Sequence, residues 1–164
     1  MTMPINTWGR RRVILALAAI TALAGELRAQ AASQPAALQW SLVPPILPPG
    51  ARIAVVSGDP TMPGMTTVEL IMPNGYRMPP HSHPVDELVE VKEGTLLVGI
   101  GDEMDPRKTM RAEVGDTGTA PAGAHHYTIA EGTTRVRVTF MGPYIITYVH
   151  ANQAPRRPNF PYGY

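Results

Sequence analysis

The sequence predicts an all-β protein, and three observations support this prediction. The 164 residues include 18 prolines and 15 glycines, a content that suits short strands joined by tight turns. No segment among the candidate strands has convincing helical spacing of apolar residues. From residue 52 onward, eight β-favouring runs recur between turn-rich pieces: RIAVVS, TTVELIM, DELVEVK, TLLVGIG, TMRAEV, HYTIA, RVRVTF and IITYV. Strands at this spacing are typical of a sandwich or barrel.

Residues 1–31 have the features of a secretory signal peptide. Arg10-Arg11-Arg12 precede an apolar run from Val13 to Ala24, and the small-residue pattern Ala29-Gln30-Ala31 suits cleavage. The apolar run has 12 residues, which is short for roughly 30 Å of hydrocarbon, so an uncleaved anchor is the weaker alternative. The paired arginines favour the twin-arginine route over general secretion. We expect an exported protein, either periplasmic or secreted.

The charge balance and the lack of cysteine exclude several function classes. The net charge of the whole chain is +1, and removal of residues 1–31 makes it −2 because four arginines and one glutamate leave. The remaining basic residues are scattered, so we expect no nucleic-acid partner and, after signal removal, no membrane partner. With no cysteine in the chain, disulfides, thiolate metal sites and cysteine nucleophiles are excluded. Any metal must therefore be held by nitrogen and oxygen.

Pro-rich arms flank the predicted strands. Residues 32–51 contain Pro44-Pro45 and Pro48-Pro49, which forbid both a helix and a central strand, so this segment is an extended arm. A domain over residues 52–150 follows, and residues 151–164 form a C-terminal coil tail. The N-terminal arm is expected to pack on its own domain or on a neighbouring subunit, because it carries several apolar side chains: Trp40, Leu42, Ile46 and Leu47.

Histidines supply the strongest chemical signal. His81 and His83 lie two residues apart in a segment that suits a strand, so both side chains can enter one cavity. Glu87 follows closely, and His126 begins another predicted strand after a turn-rich segment. Imidazoles and a carboxylate suit a divalent first-row metal. The sequence therefore predicts a metal site.

Two sequence patterns resemble the motifs of the cupin superfamily. The first, G-x(5)-H-x-H-x(3)-E-x(6)-G, is matched at every fixed position: Gly75, His81, His83, Glu87 and Gly94. The second, G-x(5)-P-x-G-x(2)-H-x(3)-N, is matched except at its last position, where Ala130 replaces asparagine: Gly115, Pro121, Gly123 and His126. The asparagine is not normally a metal ligand in cupins, so its absence leaves the predicted site intact.

The resemblance implies a double-stranded β-helix, or jelly roll, with one divalent metal ion inside the barrel. By the same resemblance, its ligands are His81, His83, Glu87 and His126. The ion could be Fe, Mn, Zn, Cu or Ni. Two positions of an octahedral ion would stay open for substrate, which is the arrangement of a catalytic site. Small cupins commonly pair, so a homodimer is expected.

Arg77 is a candidate substrate anchor. It shares odd parity with His81 and His83, so in one regular strand it would face the cavity and bind a carboxylate or enolate. If Pro79-Pro80 disturb the strand, a salt bridge at the barrel mouth is the alternative. His125 is expected to point away from the site, since its neighbour His126 points inward.

Two functional hypotheses follow from these residues. The first is an exported mononuclear metalloenzyme, such as an oxygenase, lyase or isomerase, that acts on a small oxygen-bearing organic substrate chelated to the metal. The second is a non-catalytic periplasmic cupin that binds a small ligand or a metal. The expected inward-facing residues other than Arg77 are apolar or weakly polar, which leaves both hypotheses open: Val89, Val91, Thr128 and Val138.

Overall fold

A computed structural model describes residues 37–155 of the chain. The predicted signal peptide, the first residues of the N-terminal arm and the end of the C-terminal tail lie outside the described residues. The described part is all-β, as predicted, with only two short 3-10 helices, η1 (Pro106–Lys108) and η2 (Ala151–Gln153). The strands are β1 (Ser41–Leu42), β2 (Arg52–Ser57), β3 (Gly64–Met72), β4 (Arg77–Ser82), β5 (Glu87–Ile100), β6 (Thr109–Ala112), β7 (Thr117–Ala120), β8 (His126–Gly142) and β9 (Thr147–Tyr148).

The long strands β5 and β8 organise the whole sheet. They pair antiparallel from one end to the other, with Glu87 opposite Phe140 and Ile100 opposite His126. The second half of β8 also pairs with β3, and its first half pairs with β4. In the same way β7 pairs with the first half of β5, and β6 pairs with its second half. Two half-sheets thus share β5 and β8, which gives the cupin jelly roll.

Two glycines bend these long strands without ending them. The sequence pattern predicts turns at Glu93-Gly94 and Glu131-Gly132, but the structure places both inside continuous strands. Gly94 and Gly132 have φ of +69° and +73°, a region that side-chain-bearing residues rarely adopt. The pairing of β5 with β8 shifts register on either side of Gly94. Each glycine therefore allows a bulge that turns the strand from one half-sheet into the other.

The core lies between the half-sheets, and the N-terminal arm contributes to it. Leu47 is only 4% exposed and packs in the same cluster as Val68, Val136 and Phe140. The arm turns tightly here, since the Leu47 amide donates to the carbonyl of Pro44. The described part of the arm therefore packs on its own domain. Within residues 37–155, no helix has the length and apolar character needed to cross a membrane.

Candidate metal centre

Three histidines and one glutamate meet at one end of the barrel. His81 lies in β4 directly opposite His126, the first residue of β8, so their side chains leave neighbouring strands on the same face. His83 follows the end of β4, and Glu87 is the first residue of β5. All four side chains are buried. The pairing of β4 with β8 therefore brings two sequence-distant segments to one site.

The imidazoles are close enough to share one ion. One ring nitrogen from each of His81, His83 and His126 lies within 4.8 Å of the others. The ring centroids of His81 and His126 are 4.3 Å apart, and those of His81 and His83 are 4.9 Å apart. Glu87 is not part of that mutual group, but its Oε2 lies 3.2 Å from Nε2 of His83. The three histidines form the centre, with the carboxylate beside one of them.

Main-chain carbonyls fix the tautomer of each ring. Nδ1 of His81 donates to the carbonyl of Pro79 at 2.7 Å, and Nδ1 of His126 donates to that of Ala124 at 3.0 Å. Nδ1 of His83 donates to the carbonyl of Ile145 at 2.8 Å. A carbonyl only accepts hydrogen bonds, so Nδ1 carries the proton in each ring. Every Nε2 then presents a lone pair, the form in which imidazole binds a metal.

Two buried atoms lack the partner that a cation would supply. Nε2 of His83 and Oε1 of Glu87 are buried without a hydrogen bond. With the proton of His83 on Nδ1 and with Glu87 ionised, as in a metal-bound state, the 3.2 Å contact between His83 Nε2 and Glu87 Oε2 joins two acceptors. Two acceptors at this distance repel unless a positive charge lies close to both. A divalent ion satisfies the carboxylate and the three lone pairs together, so the residues fit a metal.

The family comparison agrees with this geometry. A family model described as a cupin domain matches residues 67–142, the span that holds both motifs and all four candidate ligands. Over residues 67–142 the chain is therefore similar to the cupin domain family, as its two motifs indicate. A comparison with curated proteins gives no match.

Solved structures similar to this chain share its fold at low sequence identity. The polyketide cyclase RemF from Streptomyces resistomycificus is 17% identical with a TM-score of 0.61, and the match covers 74% of this chain and 87% of RemF. An RmlC-like cupin from Shewanella frigidimarina NCIMB 400 is 16% identical with a TM-score of 0.51, covering 78% and 93% respectively. KdgF from Halomonas sp. is 24% identical with a TM-score of 0.50, covering 73% and 87%. These similarities establish the fold alone.

A cavity of about 390 Å³ extends from the candidate metal centre into the barrel. His81, Glu87 and His126 line it at the metal end. Most of its other side chains are aliphatic or methionine. The lining also includes the four residues expected to face inward: Val89, Val91, Thr128 and Val138. The centre is therefore connected to a space that can hold a small organic molecule.

Burial favours the neutral forms of the ionisable groups at the centre. Desolvation, together with a smaller effect of the neighbouring His126, lowers the pKa of His81 to about 3. Desolvation also lowers the pKa values of His83 and His126. The pKa of Glu87 is raised, again mainly by burial, although the Tyr144 hydroxyl and His126 partly offset this. The imidazoles are thus unprotonated at neutral pH, as metal binding requires.

Arg77, the predicted substrate anchor, is not brought to the site. It is exposed at the first position of β4 and does not line the cavity. The pairing of β4 with β8 shifts between Met78 and His81, where three steps along β4 match two along β8. Pro79 and Pro80 lie in this bulge, so the parity that relates Arg77 to His81 is broken and Met78 lines the cavity instead.

His125 lies where the sequence predicts, outside the centre. It is exposed, and its Nδ1 lies 2.6 Å from Oδ1 of Asp102. Its position beside His126 makes it a natural control for experiments on the metal ligands.

Two residues at the cavity were missed by sequence reasoning. The Tyr144 ring stacks on His83 with centroids 5.2 Å apart, and its hydroxyl interacts with the Glu87 carboxylate. Leu47 enters from the N-terminal arm and lines the cavity. Tyr144 follows a Gly-Pro pair outside both motifs, so no sequence signal marks it. Leu47 was recognised only as an apolar residue that needs burial.

Proposed function

We propose that this protein is an exported, metal-dependent cupin enzyme that acts on a small oxygen-bearing organic molecule. One observation supports the proposal above all. Three buried imidazoles, each with Nε2 unprotonated, converge beside a carboxylate at the end of a cavity. His81, His83, Glu87 and His126 would hold the ion. When bound, the ion supplies a Lewis acid whose open positions polarise substrate oxygens, or a redox centre if it is iron or copper.

The protein groups around the centre orient the substrate and manage its protons. The backbone carbonyls of Pro79, Ala124 and Ile145 hold the three rings, so the ligand geometry is set before a substrate arrives. Tyr144 and Glu87 interact at the metal end of the cavity. This pair is the proposed acceptor and donor for a substrate proton.

A non-catalytic binding protein is the second candidate. It is favoured by the cavity walls, where Val89, Val91, Val136 and Val138 offer no acid or base. Such a protein would bind the same metal and ligand without turnover. Among the described residues, the pair Tyr144 and Glu87 is the feature that favours an enzyme over a binding protein. A kinetic experiment is therefore required to decide between the two.

The experiment uses mature protein purified without a histidine tag. Its metal is quantified by mass spectrometry, and each metal-loaded form is tested for dioxygen uptake and product formation with diketones, phenols and hydroxy acids. We expect about one ion per chain and turnover of at least one substrate class. The His126→Ala variant should lose both metal and turnover, whereas His125→Ala should keep both. One bound ion with binding but no turnover across the panel would favour the second candidate.

Export is the other part of the proposal, and it depends on residues 1–31. Expression of the full chain in a Gram-negative host, followed by fractionation, tests it. We expect a shortened protein in the periplasm or medium. Full-length protein confined to the cytoplasm would contradict the proposal.

A further inference from the structure

We propose that the cavity selects a ligand with an uncharged, apolar body and a single oxygen-bearing head at the metal centre. The inference rests on the proposed function for the position of the head, and it adds the chemical class of the remainder of the molecule. Small dicarboxylates and polyhydroxylated acids are the classes that it excludes.

The walls of the cavity carry almost no charge. Among residues 37–155, the charged side chains that line it are Glu87 at the metal end, Arg111 and Asp116. Beyond the metal end the lining is dominated by aliphatic and methionine side chains from both half-sheets: Leu70, Met72, Met78, Leu96, Val98 and Val136. A ligand body in this space exchanges water for hydrocarbon contacts, which favours apolar groups.

The single cation of this lining is already paired. Arg111 donates to Glu113 at 3.1 Å and to Glu131, and its side chain is about half exposed. These two carboxylates neutralise its charge, and they raise the pKa of Arg111. Arg111 is therefore not available as a partner for a ligand carboxylate. A second anionic group on the ligand would lie unpaired among aliphatic side chains, which is strongly unfavourable.

One side of the cavity opening is apolar, while the exposed Arg111, Asp116 and Thr117 line another part of it. Ile100 and Met110 line the cavity, yet they are 64% and 65% exposed, so they mark the place where it reaches solvent. Large exposed apolar side chains at the rim of a pocket are typical of surfaces that meet an apolar ligand. The apolar side of the opening and the interior thus favour the same chemistry.

Substitutions of Gly118 can change the shape and charge of this cavity without disturbing the core. It lines the cavity opposite Val89 on the neighbouring strand, and a Cβ added to it would meet no atom within 4 Å. A larger side chain at this position would extend into open space instead of into packed core. Leu88, the neighbour of Val89 in β5, is 49% exposed and is not among the residues that line the cavity, so its side chain points to the outer face.

Three β-diketones with the same chelating head test the proposal by calorimetry on the zinc-loaded protein. They are 1-phenylbutane-1,3-dione, pentane-2,4-dione and the para-carboxylate of the phenyl compound. We expect the phenyl compound to bind at least tenfold more tightly than either of the others, with a negative heat-capacity change. Equal or tighter binding of the carboxylate would overturn the proposal. Equal binding of pentane-2,4-dione and the phenyl compound would also overturn it.

Two variants locate the selectivity in the cavity. Gly118→Leu should weaken the phenyl compound at least tenfold while leaving pentane-2,4-dione unchanged. Gly118→Lys should shift the preference towards the para-carboxylate at least tenfold, whereas Leu88→Lys should not. A shift of the same size in Leu88→Lys would show that the selectivity is a general charge effect, and the proposal would fail.

Failure of the proposed function has a separate signature. If the protein retains no metal, the shared diketone head has no ion to chelate, and pentane-2,4-dione should not bind. The metal-free protein should still bind 4-phenylbutan-2-one through its apolar body, and Gly118→Leu should abolish that binding. Absence of this metal-independent binding would count against the cavity inference itself.

Discussion

At the scale of single residues, the metal centre depends on main-chain carbonyls. The acceptors for His81 and His126 lie two residues before each ring, and the acceptor for His83 lies in the loop after β8. The ring orientations therefore follow from the backbone of the ligand segments and of one loop. Removal of one imidazole should disturb the ion much more than it disturbs the fold.

The His81→Ala or His83→Ala variant is expected to lose most of the bound metal and to remain folded. The apolar core cluster does not include any of the four candidate ligands, so its packing should survive the loss of one imidazole. Metal content by mass spectrometry and thermal unfolding of the metal-free proteins check this prediction. His125→Ala is the matched control and should retain metal at the wild-type level. Unfolding of metal-free wild type at ordinary temperature would show instead that the site is structural.

The stability of the metal-free protein should fall as the pH is lowered from about 6.5. His81 has a pKa of about 3 in the folded chain, against roughly 6.5 when unfolded. Above 6.5 neither state binds the proton, so this residue contributes no slope. Between these values the unfolded state binds more protons, so this group lowers the unfolding free energy by up to about 1.4 kcal/mol per pH unit.

Urea unfolding of chelator-treated protein at pH 7.5, 6.0 and 5.0 measures this slope. A shallower slope is expected for His81→Gln, which cannot take up the proton. Stability that is constant or rises between pH 7.5 and 5.0 would contradict the prediction.

Those ligands of the candidate site that lie close together in the sequence could be predicted from their spacing. The spacing of His81, His83 and Glu87 brings them close together in any strand followed by a short turn. Arg77 could not be placed, since one extra residue in a bulge reverses every side chain beyond it. Tyr144 could not be found either, because it reaches the site through a loop whose course depends on the complete fold.

At the scale of elements, the sequence predicted most strand segments but divided the longest strands. DELVEVK and TLLVGIG are two parts of β5, and HYTIA and RVRVTF are two parts of β8. The glycines between them resemble turn residues in sequence, and only the pairing of β5 with β8 shows that the chain continues. The short strand β7 was missed because its residues, TGTA, include no large β-favouring side chain.

Gly99→Ala is expected to destabilise the protein by about 2–3 kcal/mol, because a side chain here would overpack the sheet. Gly99 is opposite Tyr127, and an added Cβ would clash with the buried Tyr127 ring. That ring has little freedom to move, since its hydroxyl donates to the carbonyl of Asp105. Gly118→Ala is the control in another strand of the sheet and should change stability by less than about 0.5 kcal/mol. Equal effects of the two variants in urea unfolding would contradict this account.

Leu47→Ala should cost about 2–4 kcal/mol of unfolding free energy, which is typical of a buried leucine. The arm is also held by two tyrosines, since Tyr76 donates to the carbonyl of Pro48 and Tyr148 to that of Ile46. In the Leu47→Ala variant these two hydrogen bonds should keep the arm attached, although the buried leucine side chain is lost. Ile46→Ala is the adjacent control, and its 41% exposed side chain predicts a loss below about 1 kcal/mol. Similar losses for both variants would show that the arm is held without Leu47.

At the scale of the whole molecule, the route of export should decide which metal is bound. A nitrogen and oxygen site prefers copper or zinc to manganese or iron when all are offered together. Folding around the ion in the cytoplasm before twin-arginine export avoids that competition. Replacement of Arg10, Arg11 and Arg12 by lysine, or substitution of a signal for unfolded export, should therefore change the metal in the periplasmic product. The same metal by both routes would contradict this prediction.

The homodimer expected from the resemblance remains a prediction for the whole molecule. Light scattering on the mature protein measures its mass directly, and we expect twice the mass of one chain. A mass equal to one chain would contradict it.

The pairing of β5 with β8 has a consequence for the order of folding events. Glu87 and His126 lie at opposite ends of this ladder, which would span about 45 Å if it were straight. They line one cavity only because the two-stranded ribbon curls until its ends meet. The complete ligand set therefore cannot exist in a half-formed chain, and full-strength metal capture should be among the last steps of folding. The ion would therefore stabilise the barrel after the two ends of the ribbon have met, instead of nucleating its formation.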